Sequence, residues 1–289
     1  MRIFKRIIKY IIAIFLTIAT IIYITINLLS STILSKEYVI NKIEEIGYYD
    51  KIYESVESNF ENYIYQSGLD ENALENIVSK EKIREDTNLI LNNIYDGAEK
   101  EIDVQEIEDN LNKNIETSLG NQRLNATQQK SIETFVEQIC NEYKDTISNF
   151  NYENQIYNAI AKIRQVIELG KKVVLITIIV CVILIIVLSL KRLYRVLMYL
   201  GVSLVASGTF FVIVNLFINA NTSLQHILIL NDTISEVLRN ILSDILSSEL
   251  NTGLIMLGIG FVSILISNIV HSRRKYRYEK HMEENYEYE

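Results

Sequence analysis

The stretch Val173–Leu190 reads VVLITIIVCVILIIVLSL and contains no charged residue. A helix needs about 20 apolar residues to cross the roughly 30 Å hydrocarbon core of a bilayer. Comparable apolar stretches occupy residues 7–29, 197–218 and 253–270, the first interrupted only by Lys9 near its start. The sequence therefore predicts four transmembrane helices, at 7–29, 173–190, 197–218 and 253–270.

The distribution of basic residues predicts how these spans are oriented, because Lys and Arg near span ends favour the cytoplasmic side. Twelve lie on one side and four on the other. The twelve are Arg2, Lys5, Arg6, Lys9, Lys191, Arg192, Arg195, Arg273, Arg274, Lys275, Arg277 and Lys280, and the four are Lys36, Lys171, Lys172 and Arg239. We expect a multi-pass protein of the cell membrane with residues 1–6, 191–196 and 271–289 in the cytoplasm and residues 30–172 and 219–252 outside.

The first span is expected to be an uncleaved anchor. Its basic start, MRIFKR, is also typical of a signal peptide. Its apolar run of about 23 residues is longer than the 7–15 residues of a signal-peptide core, and no A-x-A site follows.

Residues 30–172 carry helical periodicity and no sustained alternation, which predicts an all-α fold: the four spans plus an extracytoplasmic helical bundle. Val56, Phe60 and Ile64, for example, share one helical face. Asp103 with Glu106 suggests a capping box. The predicted helices cover 36–46, Tyr49 to a stop at Gly68, 71–78, about 83–94 ending near Gly97, Asp103 to Gly120, the stretch from Asn125 to Ile147, and a last one through Ile156, Ile160, Ile163 and Ile167 that runs toward the second span.

Residues 219–252 are predicted to hold an amphipathic helix that opens with a capping box at Thr233 and Glu236. It could lie on the membrane surface or pack against the larger domain. Packing against protein is favoured because the polar face lacks the Lys and Arg of surface-lying helices. The apolar face consists of Ile234, Val237, Leu238, Ile241, Leu242, Ile245 and Leu246.

Small residues distinguish the third and fourth spans, and they predict a closely packed hairpin because small side chains let helix backbones approach in lipid. Asn215 and Asn268 are interpreted as interhelical hydrogen-bonding or interfacial residues, the alternative being a polar path. No ionisable residue lies in the middle of a span, which argues against a proton-coupled transporter. The small residues are Gly201, Ser203, Ala206, Ser207, Gly208, Gly258, Gly260, Ser263 and Ser267, with four-residue spacing at Ser203/Ser207 and Ser263/Ser267.

The charge of residues 31–170 excludes nucleic acid as a partner. They contain 27 acidic and 13 basic residues, a net charge of −14, whereas nucleic-acid affinity rests on Lys and Arg. Histidine-based catalysis is excluded there because these residues include no His, and no G-x-S-x-G, Walker A or H-E-x-x-H motif occurs in the chain. We therefore predict that the protein is not an enzyme, with no catalytic, cofactor-binding or metal-binding residues and no cofactor.

Three weaker features each allow a functional and a structural interpretation: a cluster of acidic residues, a group of tyrosines, and Cys140. The acidic cluster could hold a divalent cation, but acids at a helix N-terminus explain it. The tyrosines could stack on glycan rings, but their spacing favours core packing. Cys140 is expected to be a buried small hydrophobe rather than a nucleophile, and it is too far from Cys181 to form a disulfide. The cluster is Glu99, Glu101, Asp103, Glu106, Glu108 and Asp109, and the tyrosines are Tyr48, Tyr49, Tyr53, Tyr63 and Tyr65.

The segments EEIGYYDKIYESV (44–56), NYIYQSGLDENALENIV (62–78), NIYDG (93–97) and EID (101–103) resemble a group of four-span membrane proteins of low-GC Gram-positive bacteria. The likeness covers about residues 35–110. The group has no assigned activity, so the resemblance implies topology and cell type. The span layout also resembles that of the permease partner of the cell-division ABC transporter, but the inner loop here is much shorter.

These observations favour a non-enzymatic integral membrane protein of the cell envelope. Its partners would be the lipid bilayer and a protein or wall component, bound through the extracytoplasmic domain or, for a protein, the C-terminal tail; alternatively, the domain senses envelope state. The competing hypothesis is a permease-like subunit of an ABC-type transporter or an envelope-remodelling complex.

Overall fold

The computed structural model describes residues 2–67, 71–120, 124–148, 153–220 and 232–286. They form nine α-helices and two short 3-10 helices, and contain no strand. The prediction of a helical protein is therefore confirmed. The α-helices are α1 Arg2–Ser31, α2 Lys36–Glu45, α3 Tyr48–Ser67, α4 Lys80–Asp96, α5 Gln105–Leu119, α6 Ala126–Ile147, α7 Glu153–Ser189, α8 Tyr194–Ala220 and α9 Asp232–Tyr286, and the 3-10 helices are Glu71–Leu74 and Leu190–Arg192.

Four of these helices are long and apolar enough to cross a membrane. The candidate spans are Arg6–Ser31 in α1, Asn154–Ser189 in α7, Tyr194–Ala220 in α8 and Ile234–Arg277 in α9. They coincide with the four apolar stretches of the sequence, so that prediction is confirmed in number and position along the chain.

Two of these helices, α7 and α9, extend far beyond their apolar stretches, with 37 and 55 residues. The expected continuation of the helix through Ile156 into the second span is confirmed by α7. The helix predicted within 219–252 continues into the fourth apolar stretch, because α9 runs without a break from Asp232 to Tyr286. No Pro interrupts it, and Gly253 lies inside the helix because it is a packing residue.

The chain divides into two compact units, which are described separately. The span unit consists of Met1–Thr32, Arg164–Ile227 and Leu242–Glu289. The helical unit consists of Ile33–Ile163 and Leu228–Ile241.

In the span unit, α8 and α9 pack with their backbones in contact. A Cβ placed on Gly201 would lie 2.8 Å from the carbonyl oxygen of Gly260, and one on Gly208 would lie 2.5 Å from that of Gly253. Such distances leave no room for a side chain, so the glycines permit the approach. The predicted hairpin is therefore confirmed, through glycines seven residues apart on each helix.

Polar contacts at both ends of the hairpin keep the same seven-residue register. Ser267 Oγ donates to the carbonyl oxygen of Tyr194 at 2.6 Å, and Asn215 Nδ2 donates to that of Leu246 at 2.9 Å. Asn215 is buried and makes the interhelical hydrogen bond expected of it, whereas Asn268 is exposed.

Three predicted members of the α8–α9 contact lie elsewhere. Ser203 and Ser207 are fully buried against α1: Thr17 Oγ1 donates to Ser203 Oγ at 3.0 Å, and Ser207 Oγ donates to the carbonyl oxygen of Thr17 at 3.3 Å. Gly258 faces open space. Four-residue spacing therefore indicates helix contacts here without telling which helix is contacted.

The helical unit shows where local capping signals succeed and fail. Asn125 caps α6 with a reciprocal bond to Gln128, and Gly97 ends α4 in the left-handed conformation at φ +67°. The capping box predicted at Asp103 is wrong: α5 begins at Gln105 after Val104, and Asp103 accepts a hydrogen bond from the Gln105 N–H, two residues on. Thr233 is the second residue of α9, and its side chain lies outside the described part of the chain.

Two other boundaries in this unit differ from the sequence prediction or cannot be compared with it. The helix predicted for 71–78 is reduced to the 3-10 turn Glu71–Leu74. The stop predicted at Gly68 lies outside the described residues.

The start of α9 packs within the helical unit, where Ile234, Val237 and Ile241 are buried and Glu236 accepts from Lys51 Nζ at 2.5 Å. Packing against protein is thus confirmed for this part of the amphipathic helix.

A buried ionic contact joins α4 to α6. Tyr143 is fully buried and its hydroxyl donates to Asp86 Oδ2 at 2.7 Å, while Lys82 Nζ donates to Asp86 Oδ1 at 3.0 Å. Burial and the bond to Asp86 raise the pKa of Tyr143, so the hydroxyl stays protonated and remains a donor.

We expect Gly208→Ala to weaken the span unit. The new methyl would lie 2.5 Å from the Gly253 carbonyl oxygen and 2.9 Å from the Leu257 amide nitrogen. This overpacking should cost about 1–3 kcal/mol. Thermal unfolding in detergent can be followed with a thiol-reactive fluorophore, because Cys140 and Cys181 are buried free thiols. Gly258→Ala is the matched control, and equal unfolding midpoints for the two variants would contradict the packing described.

We expect Asp86→Ala to lower the free energy of unfolding by about 3–5 kcal/mol, because it leaves the largely buried Lys82 ammonium and the Tyr143 hydroxyl without their acceptor. Glu85→Ala, at the exposed neighbouring position, should change it by less than about 0.5 kcal/mol. Denaturant unfolding followed by circular dichroism measures both. A loss no larger for Asp86→Ala than for Glu85→Ala would show that the buried contact does not stabilise the unit.

Candidate functional site

A groove with a cavity volume of about 360 Å³ opens on the helical unit between α3 and the chain segment that follows it. This volume lies at the lower end of the range of small-ligand sites. Its lining residues are Tyr53, Val56, Glu57, Phe60, Glu61, Ile64, Asn72, Leu74, Glu75, Asn76, Ile77 and Val78.

One side of the groove comes from two neighbouring rows of α3. Residues four apart on a helix lie one above the other on the same face. Val56, Phe60 and Ile64 form one row and are all buried, so they make an apolar floor. Tyr53, Glu57 and Glu61 form the adjacent row, with both glutamates exposed, so the polar rim follows from the same helical spacing.

The opposite wall consists of the 3-10 turn Glu71–Leu74 and the irregular segment 75–78 that follows it, which α5 holds in place. Asn114 Nδ2 donates to the carbonyl oxygens of Ala73 at 3.3 Å and Glu75 at 2.8 Å, and Asn110 Nδ2 donates to that of Ile77 at 3.4 Å. Because these carbonyls bond to side chains instead of a helical partner, the segment can line the groove with both backbone and side-chain groups.

Asn76 turns the wall at its middle. It has φ +56°, in the left-handed region that Asn tolerates better than other residues with a side chain. Ile77 and Val78, which follow it, are buried. The turn therefore places an exposed glutamate, Glu75, next to apolar lining residues.

The groove is electronegative. Its lining includes Glu57, Glu61 and Glu75, and the described lining residues include no Lys, Arg or His. The hydrogen bond to Glu57 raises the pKa of Tyr53, which keeps that hydroxyl a donor at neutral pH. A ligand that combines a positive charge with apolar groups matches this surface, because the carboxylates meet the charge and the floor accepts the apolar part.

One cation lies beside the rim without lining the groove. Lys80 Nζ lies 5.4 Å from the centre of the Tyr53 ring and donates to Asp50 Oδ1 at 2.5 Å. That bond raises the pKa of Lys80. Asp50 thus offsets the Lys80 charge, and the rim keeps its negative character.

The five tyrosines singled out in the sequence do not form one surface. Tyr48 and Tyr49 are buried, and burial raises the pKa of Tyr48 to about 12. Tyr53 and Tyr63 are half-buried; the Tyr63 hydroxyl donates to Glu142 of α6 at 2.9 Å. The Tyr65 side chain lies outside the described residues. Core packing is therefore confirmed for Tyr48 and Tyr49. The tyrosines that the structure describes do not form one continuous aromatic face on which a glycan could stack.

The other sequence candidates are placed as follows. Among the described residues, no cluster of His, Cys, Asp and Glu has the geometry to hold a metal ion, the acidic stretch Glu99–Asp109 included. Cys140 is buried, as predicted, and burial raises its pKa, so the unreactive thiol is favoured.

A buried carboxylate near the predicted start of the fourth span was not singled out from the sequence. Glu249 of α9 is 8% exposed and receives a hydrogen bond from the Thr25 side chain of α1. Its backbone position lies three residues beyond Leu246, whose carbonyl oxygen binds Asn215. The contact is structural in kind, because it joins two helices of the span unit.

Comparison of the chain with protein-family models, curated proteins and solved structures finds no match. The structure by itself defines a class: four helices able to cross a membrane, compatible with an integral membrane protein. To these it adds a helical unit with an acidic groove.

We expect Cys140 to resist alkylation in the folded protein. With Cys181→Ser removing the other thiol, iodoacetamide at pH 8 should label Cys140 slowly, because burial limits access and raises its pKa. Labelling should become fast in denaturant. The control carries Ser131→Cys, an exposed position of the same helix, in a Cys140→Ser/Cys181→Ser background. Equal rates at the two positions before denaturation would show that Cys140 is accessible.

Proposed function

We propose that the protein is a non-enzymatic integral membrane protein of the cell envelope whose helical unit lies outside the membrane and binds a partner. The partner is a protein with a cationic, partly apolar segment, and the groove beside α3 receives that segment. Both termini lie in the cytoplasm. Twelve basic residues near one set of span ends, against four near the other, support this orientation.

The observation that carries the proposal is the combination of shape and charge in the groove. An apolar floor alone would suit any hydrophobic ligand, and exposed acids alone are common on surfaces. Here Glu57, Glu61 and Glu75 border buried Val56 and Phe60, and none of the lining residues that the structure describes is basic. The net charge of −14 over residues 31–170 extends the same preference beyond the groove, since it attracts cationic partners over longer distances.

The wall of the groove is fixed independently of any ligand. Asn110 and Asn114 hold the backbone of residues 73–77 from behind. A surface that is formed before binding loses little conformational entropy when the partner arrives. This suits recognition of a partner rather than catalysis, for which nucleophile, base and electrophile would have to converge.

The proposal predicts that a cationic peptide binds more weakly when the groove acids are removed. The full-length protein in discs of zwitterionic lipid would be titrated with the fluorescent peptide AKFKLKA, and empty discs subtracted. Glu57→Gln/Glu61→Gln/Glu75→Gln should weaken binding about tenfold, from several exposed charge contacts worth up to about 1 kcal/mol each. The uncharged peptide AQFQLQA should bind poorly to every form.

The control for net charge is Glu116→Gln/Glu133→Gln/Glu137→Gln, three exposed positions of α5 and α6 that do not line the groove. If both triple variants weakened peptide binding equally, overall charge would explain the effect, and the groove would be rejected as the binding site. Binding to inverted but not to right-side-out membrane vesicles would reject the outside location. An ATPase recovered at equal stoichiometry with the full-length protein would favour the permease-like alternative.

A further inference from the structure

A cluster of cationic and aromatic side chains lies at the end of the span unit where α8 begins. His271 of α9 stacks on the Tyr194 ring with centroids 5.1 Å apart and planes inclined by 22°. The guanidinium carbons of Arg195 and Arg274 lie 5.9 Å and 5.8 Å from the centre of the same ring. Two arginines from different helices are thus gathered around one tyrosine.

A second aromatic pair continues this cluster toward α1. Tyr10 meets Tyr199 edge to face at 5.3 Å, and Lys9 Nζ lies 5.8 Å from the centre of the Tyr199 ring. Tyr199 lies four residues after Arg195 on α8, on the same helical face. The two groups are therefore neighbours, and the cluster draws on α1, α8 and α9.

The segments that build the cluster supply positive charge and no carboxylate. The sequence has no Asp or Glu in residues 1–36, 169–231 or 250–278. Like charges brought together repel each other, and the repulsion is strong where the bilayer lowers the local dielectric constant. An external anion would relieve it, and guanidinium groups bind phosphate oxygens with two parallel hydrogen bonds.

The surroundings identify the anion as part of a lipid. Exposed apolar side chains flank the cluster residues in the sequence: Leu193 precedes Tyr194, Leu197 follows Arg195 by two residues, and Ile7 precedes Lys9 by two. Tyr and Arg at span ends are typical of the headgroup level, and basic pockets between transmembrane helices bind anionic headgroups. A free phosphate would use the arginines and leave the apolar surface without a partner, whereas a phospholipid uses both.

We propose that Arg195 and Arg274, held at the Tyr194 ring, bind the phosphate of an anionic phospholipid of the surrounding bilayer, and that its acyl chains cover the apolar surface beside α8. The site joins the start of α8 to α9 through one lipid. It is independent of the groove in the helical unit.

The test measures lipid retention by native mass spectrometry of the full-length protein in detergent, titrated with phosphatidylglycerol or phosphatidylcholine of equal chain length. We expect phosphatidylglycerol to be retained preferentially. Arg195→Gln/Arg274→Gln should weaken its retention roughly 30-fold, as expected for two cations at an anionic lipid. Arg195→Lys/Arg274→Lys should lose less, because it keeps the charge.

The matched control is Arg273→Gln/Arg277→Gln, which removes the same charge from exposed positions of α9. Equal losses for both Gln pairs would overturn the proposal in favour of diffuse attraction by the basic tail. Equal retention of both lipids by the wild-type protein would also overturn it. So would the displacement of phosphatidylglycerol by millimolar inorganic phosphate, because the site would then be one for free phosphate. Circular dichroism of each variant verifies the helical fold.

Discussion

The span unit depends on the backbone contact between α8 and α9. Gly201 faces Gly260 and Gly208 faces Gly253, and every added atom at these positions would collide with a backbone group. In lipid no hydrophobic force drives helices together, so close packing and interhelical hydrogen bonds must do so. The hydrogen bonds of Ser267 and Asn215 continue the register by seven residues at either end. A seven-residue period keeps one seam of each helix facing the other over its whole length.

The same register explains how the cationic cluster forms. With Ser267 bonded to Tyr194, the next turn of α9 brings His271 onto the Tyr194 ring and Arg274 beside it. Arg195 and Arg274 belong to the basic residues that predict how the spans are oriented. Their positions therefore depend on glycine contacts about two or more helical turns away. A shift of α9 by one residue would separate the two arginines, so helix packing and anion recognition at this end share one geometric cause.

Hydropathy predicted the membrane-compatible part of the fold well, because backbone groups in hydrocarbon must bond within a helix and only long apolar runs can do so. Contacts were harder to foresee. The four-residue spacing of Ser203 and Ser207 is genuine but serves α1, whereas the decisive glycines are spaced by seven and one of them, Gly253, stands at the edge of its apolar stretch. The spacing shows that one face of a helix carries small side chains. The structure is needed to show which other helix packs against that face.

The groove illustrates the other limit of sequence reasoning. The rows Val56–Phe60–Ile64 and Tyr53–Glu57–Glu61 can be found from a helical projection, so one wall was within reach of the sequence. The other wall was expected to be helix. It is instead a 3-10 turn followed by irregular chain, and Asn110 and Asn114, four residues apart on α5, donate to its carbonyls from another part of the sequence. Had residues 71–78 continued as a helix, these carbonyls would be bonded internally, and Asn76 would not adopt the left-handed turn that sets Glu75 beside the apolar lining. The acidic groove is thus a product of tertiary hydrogen bonds overriding local helical preference.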